Sequence, residues 1–273
     1  MQKRYAFLII LIFLSLQSSF AQYFELGSWL GTSNYLGDLA PPQQYFLETR
    51  FAGGLDFQYN VHPHVAARVT SSWGQLNGND ANSNEASGRR QRNLSFTSPI
   101  WELSLCAVFN ILPYKPKLKK KPFTPYAFIG VAFFHFSPKT LYKTNWVDLH
   151  ALGTEGQGIN GYPEPYKLNQ WAVPFGGGIR LSLSKHINFM FELGLRKTFT
   201  DYLDDVSGQY VDLDLLRQEN GALASILSNR SLDESGNQIP LTGEPRGSSA
   251  KDWYVLTGVR LSYNFIKFHA FKK

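Results

Sequence analysis

The chain has 273 residues, a net charge of +6 and a single cysteine, Cys106. One cysteine excludes an internal disulfide framework, and basic charge that is mostly scattered excludes a nucleic-acid footprint. No run of about eighteen apolar residues follows residue 21, so no transmembrane helix is expected beyond it.

Lys3 and Arg4, the apolar run Tyr5 to Leu16 and the small residues up to Ala21 read as a secretory signal peptide. The expected domains are a signal peptide over 1–21, a β-barrel over 22–265 and a periplasmic tail over 266–273. No cysteine lies beside the cleavage site, so a lipid anchor is not expected there.

Eight segments then alternate with period two, as strands with one apolar face do. The first, 23–35, sets Phe24, Leu26 and Leu30 against Glu25, Gly27 and Trp29. The second, 48–61, sets Phe51, Leu55, Phe57, Tyr59 and Val61 against Arg50, Asp56, Gln58 and Asn60. In the third, 64–76, Val65, Ala67, Val69 and Trp73 oppose His64, Arg68, Thr70 and Ser72. The fourth, 94–111, opposes Trp101, Leu103, Leu105, Phe109 and Ile111 to Glu102, Ser104 and Asn110. The fifth, 124–137, is apolar on both faces, and its orientation stays open. The sixth, 169–183, places Trp171, Val173, Phe175, Ile179 and Leu181 opposite Gly176, Gly178 and Arg180. In the seventh, 186–202, Ile187, Phe189, Phe191, Leu193 and Leu195 oppose Asn188, Glu192 and Arg196. The eighth, 252–265, carries Trp253, Val255, Val259, Leu261, Tyr263 and Phe265 on one face and Arg260 on the other.

Short links after the second and sixth strands alternate with long polar ones after the first, third, fifth and seventh. That asymmetry, with aromatic residues at both ends of the apolar faces, is the pattern of an outer-membrane barrel. Charge sorts the same way. Glu25, Arg50, Asp56, Arg68, Glu102, Arg180, Glu192, Arg196 and Arg260 fall on the polar faces, while Lys197, at a strand end, is the exception on the apolar ones. The fold class is therefore all-β: an eight-stranded antiparallel transmembrane barrel whose interior side chains fill, with the charges paired inside it. Glu192 is expected to pair with Arg196 or Arg260. Leu193→Arg is expected to impair assembly more than Gly194→Ser.

Three other features call for chemistry. His135 and Ser137 stand two apart on the fifth strand and resemble the His-x-Ser pair of outer-membrane lipid A deacylases, but no carboxylate can be assigned to orient the histidine. Asp201, Asp204 and Asp205 lack the spacing of a calcium loop. No cofactor and no metal is called for. The link 112–123 carries Lys115, Lys117, Lys119, Lys120 and Lys121, a candidate docking surface for a periplasmic partner or for anionic lipids. The last long loop is too long for a plain connector. Leu213, Leu216, Leu223 and Ile226 predict one amphipathic helix over 212–227, and 228–247 reads as a dispensable spacer.

The last strand holds Gly258, Leu261 and Tyr263, which resemble the C-terminal signal read by the barrel-assembly machinery, although Leu256 stands where a polar residue is usual. Asn34 to Leu39 with Gly37 and Asp38, Pro125-Tyr126, Thr154-Glu155-Gly156-Gln157-Gly158, Pro174-Phe175-Gly176, and the run Arg196 to Ser207 with Asp201, Tyr202, Asp204 and Asp205 occur together. This set resembles the PorG-like outer-membrane barrels of the Bacteroidota, across nearly the whole chain after residue 21. The resemblance implies a non-enzymatic component of the type IX protein secretion and gliding machinery that docks the periplasmic PorK/PorN ring. The alternative class is a stand-alone surface barrel acting in adhesion or envelope stability, with an outer-membrane lipid hydrolase as a third, minor reading.

Overall fold

The computed structural model describes residues 23–40, 47–83, 88–114 and 123–265. The expected signal peptide, the five lysines of 112–123 and the expected periplasmic tail lie outside the described residues.

Eight long strands form the wall: β1 (Tyr23–Leu36), β2 (Arg50–His62), β3 (Val65–Asn79), β4 (Ser95–Asn110), β5 (Phe123–Phe136), β8 (Asn169–Ser182), β9 (Ile187–Thr198) and β10 (Trp253–Phe265). Each is antiparallel to its neighbours, and β1 pairs with β10, so the sheet closes and leaves no edge. Two short strands, β6 (Lys139–Tyr142) and β7 (Asn145–Asp148), form a hairpin joined to β4 at Thr97. The sequence pattern does not announce this hairpin.

Alternation sets the faces. Leu26, Leu30, Leu55, Leu105, Val131, Phe191 and Leu261 are exposed on the outside, while Asp56, Arg68, Glu102 and Arg180 are buried within. Tyr126, Phe128, Phe134 and Phe136 turn inward from β5, which settles that strand's orientation. Rings bracket the apolar belt. At one end Phe51 packs on Trp73 (5.5 Å) and Phe133 on Trp171 (5.3 Å). At the other, Phe24 stacks on Tyr59 (4.9 Å) and His186 on Tyr263 (5.4 Å). Trp101 and Phe109 on β4 are eight residues apart, about 26 Å along the strand. At a tilt of about 40° that is roughly 20 Å along the barrel axis, close to the apolar band of such barrels.

Residues 63–64 and 183–186 turn the chain at one rim. The opposite rim carries 37–40, 47–49, 80–83, 88–94, 137–168 and 199–252. Two details depart from expectation there. β9 ends at Thr198, and 199–202 already belongs to the loop. The expected single helix is two, α2 (Leu213–Glu219) and α3 (Ala222–Ser228), because Gly221 at φ +93° turns the chain between them. A short helix, α1 (Arg89–Arg92), lies in the second loop.

Candidate functional site

The polar interior has two storeys. The lower one lies within the wall. Glu192 receives Arg68 at 2.7 Å, Arg260 at 3.2 Å and the Tyr126 hydroxyl at 2.8 Å. Arg260 also pairs with Asp56. Arg196 grips Glu102 through Nε at 3.0 Å and a terminal nitrogen at 3.3 Å, and the Tyr254 hydroxyl donates to the same carboxylate at 2.7 Å. Nearest the short-turn rim, Arg180 lies 3.3 Å from Glu25, which also accepts from Asn60 (2.8 Å) and Ser262 (2.8 Å). Arg180 stacks over the Tyr114 ring at 4.6 Å.

Eight of the nine charged residues singled out on the inward faces thus pair inside the lumen, in three groups: Arg68, Glu192, Arg260 and Asp56; Arg196 and Glu102; Arg180 and Glu25. Arg50 does not. It is the first residue of β2, its side chain is 39% exposed, and it lies 4.0 Å from Glu48 at the long-loop rim. Position at the strand end, above the closed wall, is the reason. Glu192 pairs with Arg260 as expected but with Arg68 rather than Arg196, since β3 reaches it across the lumen. The four arginines and four carboxylates left inside balance. The void among Arg68, Cys106, Glu192 and Arg260 holds about 20 Å³. That is room for about one water molecule.

The upper storey is a cap built from the four long loops, and most of the motif residues meet in it. The Tyr35 hydroxyl lies 2.7 Å from Asp204 and 2.8 Å from Asp252. One hydroxyl proton can go to one of them; the other is bonded only when it carries a proton itself. Burial first, then the charge of Asp38, lifts Asp204 well above the usual carboxylate range, and burial and Asp204 do the same to Asp252. Asp205 accepts from the hydroxyls of Thr154 and Tyr166, the latter at 2.7 Å, and burial raises it to about 6 against the opposing pull of Arg246. Glu155 accepts from the backbone N–H groups of Ser207 (2.9 Å) and Gly208 (3.0 Å) and from Arg246 (2.9 Å). Asp201 accepts from Ser207 at 2.7 Å, and Tyr202 stacks on Tyr166 at 4.6 Å. Asp38 accepts from the N–H of Ser248 at 2.9 Å.

Two glycines of the motifs have steric reasons. A Cβ at Gly37 would fall 1.9 Å from the Tyr35 hydroxyl, and Gly156 adopts φ +77°. The hydrophobic floor of the cap includes Leu203, Val206 and Leu227.

Several cap residues were not legible in the sequence. Arg246 is buried and binds Glu155, so 228–247 is no spacer. Arg92 holds Asp80 through Nε at 2.7 Å, together with the carbonyls of Arg246 (2.7 Å) and Asp38 (3.0 Å). Neither arginine falls in a periodic pattern. Asp252, directly before β10, was readable only as a strand-end acid. His135 lies on the outer face, bonded to the Asn169 amide at 2.9 Å, with no carboxylate partner among the described residues.

A family model described as a domain of unknown function, DUF6089, matches residues 3–225. Among curated proteins, none matches the sequence. Solved structures with a likeness include Neisserial surface protein A, at 6% identity and a TM-score of 0.43, covering 90% of this chain and 97% of that one. A major outer membrane protein of Thermus thermophilus aligns at 15% identity and a TM-score of 0.42, over 90% and 100% of the two chains. The attachment invasion locus protein Ail of Yersinia pestis aligns at 6% and 0.41, over 90% and 100%.

Proposed function

We propose, from the premise that this chain belongs to the DUF6089 family, whose description assigns no activity, that it is a non-enzymatic barrel of the outer membrane, exported by a signal peptide over 1–21. One observation carries the reading: an apolar belt, bracketed by aromatic rings, encircles a lumen of paired charges. A water-soluble protein has the opposite arrangement, and a belt of this size in water would drive aggregation. The long-loop rim with its cap then faces the cell exterior, and the barrel domain runs over 22–265 with its tail in the periplasm.

The finer proposal is a part in type IX secretion, with the PorK/PorN ring as periplasmic partner and the barrel-assembly machinery as the route of insertion. Its support is the resemblance to PorG-like barrels, whose shared blocks supply Tyr35, Thr154, Glu155, Asp204 and Asp205 to one cap. Lys115, Lys117, Lys119, Lys120 and Lys121 would meet the ring. Pull-down from native membranes should recover the ring proteins, and changing all five lysines to Gln should loosen that recovery increasingly with salt while heat-modifiable gel migration persists. Equal ring recovery by the variant at every salt concentration would count against docking by this turn. The stand-alone surface barrel is the second reading, favoured by the buried polar cap on the outward side. Export of proteins with type IX C-terminal signals, unchanged after deletion of this gene, would select it.

A further inference from the structure

Above the aromatic ring on β3 and β4, the outward face changes character. Trp73 and Trp101, paired in register, are 52% and 42% exposed. Four residues further along the same faces come Asn77 and Thr97, and two further Asn79 and Ser95, again paired. Four residues at about 3.3 Å each, along strands tilted by about 40°, place this amide and hydroxyl surface roughly 10 Å beyond the ring. That is the depth of sugar headgroups, beyond the acyl chains and beyond a phospholipid head.

The surface is the floor of a groove of about 430 Å³, within the range of small-ligand sites. The β6–β7 hairpin walls one side with Leu141 and Trp146, which is 60% exposed, and Leu47 and Arg50 stand on the other. Arg230 reaches into the groove from the last loop. Its guanidinium has only long bonds, 3.4 Å each, to the hydroxyls of Ser95 and Thr140 and the carbonyl of Leu141. Every buried arginine of lumen and cap has a carboxylate, namely Arg68, Arg180, Arg196, Arg246 and Arg260, with Arg92 on Asp80. Among the described residues Arg230 pairs with none, and half-burial pulls its pKa down with only Tyr142 opposing. Glu48, the acid of the groove, is already engaged by Asn82 at 2.5 Å and by Arg50. A half-buried cation with no carboxylate among the described residues, beside an exposed indole and a row of amides, is suited to an anionic sugar.

We propose that this groove binds the phosphorylated sugar headgroup of an outer-leaflet glycolipid, with phosphate on Arg230 and Arg50 and a sugar ring against Trp146. The apolar residues below, Leu47, Phe51, Trp73 and Trp101, would meet the acyl chains. The site rests on the outer-membrane reading, which sets its depth.

The test uses the full chain in detergent micelles, with ligand retention read by native mass spectrometry. The probes are lipid A, its dephosphorylated form, phosphatidylglycerol and glucosamine 1-phosphate. Lipid A should bind at least about tenfold more tightly than the other three, and Arg230→Gln or Trp146→Ala should each remove about that factor. Arg217→Gln, at an exposed pair with Asp214, should change nothing. Heat-modifiable migration of each variant checks that the barrel has folded. Equal retention of lipid A and phosphatidylglycerol, or no loss in either groove variant, would overturn the proposal. Glucosamine 1-phosphate binding as tightly as lipid A would overturn the lipid as source. A chain that never gives the heat-modifiable form would sink the membrane reading itself, a different failure.

Discussion

Glu192→Gln is the sharpest perturbation of the lumen. The carboxylate forms ion pairs with Arg68 at 2.7 Å and Arg260 at 3.2 Å and accepts from the Tyr126 hydroxyl at 2.8 Å. Arg260 keeps Asp56, but Glu192 is the carboxylate bonded to Arg68, which is 2% exposed. The amide keeps the shape and removes the charge, leaving four buried arginines against three acids. Breaking such a pair from one side costs about 3–5 kcal/mol, because the remaining charge stays buried and unpaired. Urea titration of folding into lipid vesicles, followed by heat-modifiable migration and tryptophan fluorescence, reads this loss directly. Adding Arg68→Met to Glu192→Gln restores charge balance and should recover a large part of it. A single variant within about 1 kcal/mol of the parent would refute the reasoning, as would a double variant that loses the sum of both singles.

Two further outcomes follow from the wall and the cap. Leu193 is exposed at mid-belt on β9, so Leu193→Arg should cost roughly 2–4 kcal/mol of folding in lipid while Leu193→Phe costs little; similar losses in the same urea titration would mean this face does not meet lipid. Gly194→Ser is not the benign comparison that alternation suggests, because a Cβ there falls 2.4 Å from Arg196 and 2.8 Å from Phe128. In the cap, Asp204, Asp205 and Asp252 have folded-state pKa values raised above those of the unfolded chain, so their contribution is complete below about pH 4 and is lost as pH rises through the folded values, about 6 for Asp205. Hydrogen exchange at 203–211, corrected for intrinsic rates, should show more protection at pH 5 than at pH 8, and Asp204→Asn should flatten that difference. The titratable groups facing these acids are Tyr35, Asp38, Arg92, Glu155, Tyr166, Asp201 and Arg246; equal protection at both pH values would refute a shared proton at Tyr35.

The wall was legible because its rule is local. Period two fixes the face of each residue once one side meets lipid, and Asp56, Arg68, Glu102 and Arg180 needed no knowledge of their partners to be placed inside. β5 resisted because the lumen beside it is filled by rings, so both of its faces are apolar. The helix period of the last loop was readable, yet its break required giving weight to Asn220-Gly221, where the glycine adopts φ +93°. The cap resisted for a different reason. Tyr35 meets Asp252 across 217 residues and Glu155 meets Arg246 across 91, with no spacing rule to join them. The motif blocks marked which acids matter there without indicating what holds them.

The two storeys differ in what they can do. In the lumen, four arginines face four carboxylates, and the void among Arg68, Cys106, Glu192 and Arg260 holds about 20 Å³. These pairs tie strands together across the lumen, β3 to β9 through Arg68 and Glu192 and β4 to β9 through Glu102 and Arg196. The cap instead sets Asp204 and Asp252 on a single hydroxyl, with Asp205 held at about 6, and ties all four long loops through Arg92 and Arg246. Loss of one proton there places two like charges across Tyr35, between the end of β1 and the loop that enters β10. The acids whose protonation the fold shifts upward therefore stand above the belt, on the side where Arg230 has no carboxylate among the described residues.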